Sequence, residues 1–191
     1  MPIRITPYTP AEVAIATGRT VVNQRNDRRS GYAPRHHGHA RFDLIGVARN
    51  YVIQSFAELG IGPASSVRFA DDAGNAIART LIRQPEAWSW AARSRYPGMG
   101  IGGRVVGVHR DLIGLLPFEY ERPSIMQGLI VWANGDFEIS PKFIAAPGSK
   151  LPRERKLWGP YVTMGFGFAG WALAERLPRP IFDWVEENEM D

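Results

Sequence analysis

Three glycines limit what the first third of this chain can build. Gly18, Gly31 and Gly60 interrupt runs of helix-forming residues, and glycine readily ends a helix by turning left-handed after its last turn. The stretch before Gly18 opens with Thr9-Pro10-Ala11-Glu12. Thr9 can cap, Pro10 suits the first helical position, and Glu12 completes a capping box. The first helix is therefore short. Arg19 to Ser30 reads as a second helix closed by Gly31. Two short helices joined through one glycine make a helix-turn-helix candidate. Tyr32 to Arg41, with Pro34, Gly38 and a cluster of Arg and His, reads as a loop or two-stranded wing. From Phe42 to Leu59 the residues Leu44, Val47, Ala48, Tyr51, Val52 and Phe56 recur at helical spacing, which predicts an amphipathic helix. Pro63 to Ile82 reads as another, with Val67, Ala70, Ile77 and Leu81 on one side; Asp71-Asp72-Ala73-Gly74-Asn75 also suits a turn.

The pattern changes at Pro85, which divides the 191 residues into an expected domain over 1–85 and another over 86–191. The second part has short segments broken by Gly and Pro. Arg104 to His109 reads as a strand. Ile125 to Trp132 and Asp136 to Ser140 read as a hairpin, because Asn134-Gly135 is the dipeptide suited to a type I′ turn. Trp171 to Arg176 reads as helix, and Ile181 to Glu187 as a last short helix. The aromatics of this half, among them Trp88, Trp132, Phe166, Trp171 and Phe182, suit a core with some left for a dimer surface or ligand pocket.

Composition removes several chemistries. The chain has no cysteine, so disulfide scaffolds, thiolate zinc sites and thiol nucleophiles are excluded. The start lacks the apolar core of a signal peptide. Leu157 to Ala174 holds no charge, but Pro160, Gly165, Gly167 and Gly170 dilute it, so it reads as a buried strand or core helix, not a membrane span. A cytoplasmic, nucleoid-associated protein is expected. The twenty Arg against three Lys fit a GC-rich bacterial or phage genome.

Charge is the first functional signal. Residues 1–62 carry eight Arg and four acids, while the remainder is neutral. The whole net charge of +4, and three of four histidines, therefore lie in the first third. A compact basic module on a neutral body points to a polyanion partner.

The helix pair resembles the MerR-like winged helix. The matching positions are Ala14, Thr17, Gly18, Val21, Arg25, Arg29 and Gly31, then Pro34, Arg35, Gly38 and Arg41-Phe42 in the wing. The match continues in the next helix from Asp43-Leu44 to Glu58-Leu59-Gly60 and covers residues 9–82. Asn26 and Asp27 stand where that family has two aromatics, and Gln24 where it has Leu. The resemblance implies a winged helix-turn-helix DNA-binding domain. The expected fold is thus α+β, a winged helix-turn-helix followed by a small α+β domain with an antiparallel hairpin.

On the second helix, Arg19, Asn23 and Asn26 are spaced to share one face. Arg and Asn can each read a base edge through paired hydrogen bonds, and Val22 could meet a thymine methyl. Thr20, Arg25, Arg28 and Arg29 are placed for phosphates, and Arg35, His36, His37 and His39 for the backbone or adjacent minor groove. Double-stranded DNA is the expected partner, read by a homodimer, with an effector or protein partner at residues 86–191. The expected function is a sequence-specific transcriptional regulator; the alternative is a phage-type architectural DNA-binding protein, excisionase-like or small terminase-like.

No enzyme is expected. Gly98 to Gly103 matches G-x-G-x-x-G but follows no clear strand, and His109-Arg110-Asp111 lies too close to it for a kinase lobe. His109 with Asp111, Glu119 and Glu121 fits no common acid–base spacing. His36, His37 and His39 are ring ligands in type, but neighbours on one loop rarely build a tetrahedral site, so neither metal nor cofactor is expected.

Overall fold

The capping box at Thr9 forms as the sequence dictates: Thr9 Oγ1 accepts from Glu12 N at 3.3 Å, and Thr9 N donates to Glu12 Oε2 at 2.7 Å. It opens α1, Pro10–Thr17. This arrangement comes from a computed structural model that describes residues 3–34, 40–95, 128–140 and 160–184. The described elements are β1 (Ile3–Ile5), α1, α2 (Val21–Arg29), α3 (Leu44–Glu58), α4 (Pro63–Leu81), a 3₁₀ turn at Pro85–Ala87, and α5 (Trp90–Arg95). They continue with β2 (Gly128–Trp132), β3 (Phe137–Ser140), β4 (Tyr161–Gly165), α6 (Phe166–Ala174) and β5 (Phe182–Trp184). The fold is α+β; the described residues form six α-helices and two small antiparallel sheets.

α3 and α4 form the centre. Every apolar position expected to point inward from α3 is buried, and Asp43 caps the helix by accepting from Gly46 N at 2.7 Å. α4 runs unbroken through Asp71–Asn75, where a turn was the alternative. Gly74 sits there because the α3 backbone passes close: an added Cβ would lie 3.1 Å from Arg49 N. On its other side α4 meets α6 even more tightly. A Cβ on Gly170 would fall 2.0 Å from Thr80 Oγ1, and that hydroxyl donates to Phe166 O at 3.0 Å. The uncharged run expected as strand or helix is both in succession, β4 then α6. No helix among the described residues is long and apolar enough to cross a membrane.

The larger sheet has the order β3-β2-β4, all antiparallel, with Val131 opposite Phe137 and Val162. β2 is buried along its length, and Phe137 meets Phe69 of α4 at 5.6 Å, which itself meets Phe56 of α3 at 4.8 Å. The hairpin exists as expected, but its turn differs. Trp132 N donates to Asp136 O at 2.9 Å and Gly135 N to Trp132 O at 2.9 Å, which makes a three-residue loop. Gly135 alone has positive φ, at 87°, and Asn134 does not. A type I′ turn needs both.

The smaller sheet corrects a second expectation. Phe182–Trp184 is not helical; it is β5, paired antiparallel with β1 so that Ile3 lies opposite Trp184. Trp88 stacks on Phe182 at 4.4 Å and donates its indole N–H to Ile82 O at 2.8 Å. Pro85 is therefore not a break in packing. Ile3, Val13 and Ile77 belong to one apolar cluster with Leu129, Phe166 and Phe182.

Candidate nucleic-acid interface

α1 and α2 are joined by a tight turn in which Gly18 takes the left-handed conformation, φ 76°, and donates to Ala14 O at 2.9 Å. α2 begins at Val21, not Arg19, because Thr20 takes the N-cap position and accepts from Asn23 N at 3.1 Å. Its hydroxyl is committed to the helix.

Arg19 departs from its expected role. The side chain is 3% exposed, and its guanidinium pairs with Asp27 at 2.7 Å through Nε and 2.5 Å through Nη2. It lies before the helix and faces inward, so it is not aligned with Asn23 and Asn26 for base contact. Gln24, also buried, donates its amide to Pro10 O at 2.9 Å and Arg19 O at 2.8 Å. The seam between the helices is thus polar, held by Gln24 and by the Arg19–Asp27 pair.

The outward face of α2 collects five of the expected residues. Val22 is 62% exposed, and Asn23, Arg25, Asn26 and Arg29 are all exposed. Asn23 and Asn26 are three positions apart, and Arg25 and Arg29 four, so each pair projects from adjacent turns. Arg28 is half-buried on a different side. Arg35, His36, His37 and His39 lie outside the described residues, as do Gly98 to Gly103, the strand expected over Arg104–His109, and the carboxylates Asp111, Glu119 and Glu121. Among the described residues no group of three or more His, Asp or Glu could hold a metal ion.

The arrangement can present an amide-bearing, cationic helix to a flat or grooved polyanion. It offers no nucleophile–base pair in that face. The sequence passed over Arg49, which is buried in α3 and bridges Asp71 and the Tyr32 carbonyl; no local pattern marks an arginine as buried. Comparison of the chain with protein-family models, curated proteins and solved structures finds no match.

Proposed function

We propose that the chain is a sequence-specific DNA-binding transcriptional regulator of the winged helix-turn-helix type, and that α2 enters the major groove. The exposed face of Val22, Asn23, Arg25, Asn26 and Arg29 carries this reading. Asn reads adenine through two hydrogen bonds, and a valine can contact a thymine methyl. Arg25 and Arg29 border these side chains as phosphate contacts, and the net charge of the chain lies in the same third of the sequence. In this reading Arg35, His36, His37 and His39 contact the DNA backbone or the adjacent minor groove. A helix of nine residues reads only a few base pairs, so the regulator works as a homodimer with half-sites about one helical turn apart.

Selection from a random duplex library with the full chain tests the reading. One enriched, two-fold symmetric motif is expected, with affinity falling steeply between about 50 and 200 mM salt as phosphate counterions are exchanged. No enriched motif and no salt dependence would overturn it. Enrichment of bent DNA without a base preference would favour the architectural role instead.

A further inference from the structure

Beneath α2 lies a cavity of about 420 Å³, bounded by that helix, the segment entering α3, the first two turns of α3, and Asp71 of α4. Its size falls in the range of small-molecule sites, roughly 300–1,000 Å³. Its charge does not cancel. Arg28, Arg41, Arg49, Asp43 and Asp71 all line it. Asp71 pairs with Arg49, whose remaining reach goes to the Tyr32 carbonyl. The Asp43 carboxylate caps α3. Arg28 and Arg41 have no acceptor among the described residues, and Arg28 Nη1 is fully buried. A buried charged donor without an acceptor is costly and uncommon. Gln24 is 2% exposed, and its Oε1 is also buried without a partner, while its amide N–H groups are held by two carbonyls. The rest of the wall is Asn50, whose amide donates to Gly46 O at 2.8 Å, and apolar residues, chiefly Pro7, Phe42 and Ile45.

We propose that this cavity binds a small organic oxyanion with an apolar body. The guanidiniums of Arg28 and Arg41 take the charged group, since the guanidinium fork matches a planar or tetrahedral oxyanion in geometry and charge. Phe42, Ile45 and Pro7 cover the apolar body, and Gln24 Oε1 accepts from a hydroxyl or amine on it. The positive end of α3 reinforces the preference for an anion, with Asp43 offsetting part of that field. This places a small-molecule site in the N-terminal third, whereas the sequence pointed to residues 86–191 for an effector. The site does not depend on the DNA reading.

Fluorescence titration of the full chain with anilinonaphthalene sulfonate tests it, with the uncharged N-phenylnaphthylamine as control and no DNA present. One sulfonate probe per chain is expected. The uncharged compound should bind at least about tenfold more weakly, and Arg28→Gln and Arg41→Gln should each lower sulfonate affinity by about tenfold, as for loss of a charged hydrogen-bonding partner. Arg28→Gln removes an unmatched buried donor, so its thermal midpoint should hold or rise. Arg41 is exposed, so its variant keeps the test open if Arg28→Gln misfolds. Absence of binding, equal binding of the uncharged compound, or unchanged affinity in both variants would overturn the proposal.

Discussion

Arg19 and Asp27 show how a residue's neighbours, more than its type, decide its work. Both side chains are almost wholly removed from water, so each ion owes its tolerance to the other. Asp27→Ala should therefore destabilise the chain by about 3–5 kcal/mol, because an unpaired guanidinium would remain buried. Replacing both partners, Arg19→Met with Asp27→Leu, should recover most of that loss, since an apolar pair of similar volume needs no compensation. Urea denaturation of the single and double variants measures this, and a double variant as unstable as Asp27→Ala would refute it. Asn23→Ala should do the reverse: stability within about 0.5 kcal/mol of the parent, but a loss of about 1–3 kcal/mol on the selected DNA site together with relaxed preference at one base pair. Fluorescence anisotropy on selected and random duplexes reads that difference, and an unchanged ratio of the two affinities would remove Asn23 from the groove. Spacing alone put Arg19 beside Asn23. It could not reveal that Asp27 lies within reach on the inner side, because the inner side is defined by α1 and not by α2.

Elements whose signals are local were legible, and those whose partners are distant were not. The Thr9 box, Gly18, and the apolar stripe of α3 each act within a few residues, and α1 and α3 formed where those signals placed them. β1 and β5 are each three residues long and pair across nearly the whole sequence. Nothing in Phe182-Asp183-Trp184 by itself distinguishes a strand from a helical turn. Gly135 shows an intermediate case: the hairpin was readable, but loop length was decided by the Trp132–Asp136 pairing and not by the dipeptide. Gly170 is similar, because only the contact with α4 explains it. Gly170→Ala would drive a methyl into Thr80 Oγ1, with Thr80 Cβ at 3.0 Å and Leu81 N at 3.3 Å behind it. Overpacking of this kind should cost about 1–3 kcal/mol, despite alanine's better helix propensity. Thr80→Ala in the same chain should restore only part of the loss, since the β-carbon and backbone stay in place. Thermal unfolding of the four chains forms a double-mutant cycle; a Gly170→Ala chain as stable as the parent would mean that α4 and α6 do not approach this closely.

At the scale of the whole molecule, the two ends of the chain are held together by carboxylates. Arg179 donates to Glu12 Oε1 at 2.6 Å and to Pro7 O at 2.9 Å, while its guanidinium lies 4.4 Å from the centre of the Tyr8 ring. The Tyr8 hydroxyl donates to the Arg179 carbonyl; burial raises the phenol above its ordinary range, which keeps that donor protonated. The Arg179 hydrogen bond, ahead of those from Thr9, holds the Glu12 carboxyl down to about 2 from 4.5. At the β1–β5 pair, a hydrogen bond from Ser89, and then one from Arg4, lowers Asp183 as well. Both are carboxyls whose folded state binds protons less readily than the unfolded one, so their contributions are complete above the unfolded value and vanish as pH falls through the folded one. For Glu12 that window runs from about 4.5 down to about 2. Acid should therefore weaken the clasp that joins residues 3–12 to residues 179–184, and with it a core that spans both sides of Pro85. Glu12→Gln separates this effect from general acid unfolding. Near neutral pH the variant should be less stable than the parent by about 1–3 kcal/mol, having lost the charge that pairs with Arg179 while glutamine can still accept from Thr9 N. As the pH drops from 5 towards 2.5 the parent should lose this advantage and the two melting points should converge. Melts followed by circular dichroism across that range decide it: a gap that stays constant with pH would show that the Glu12 charge does not help to fasten the ends.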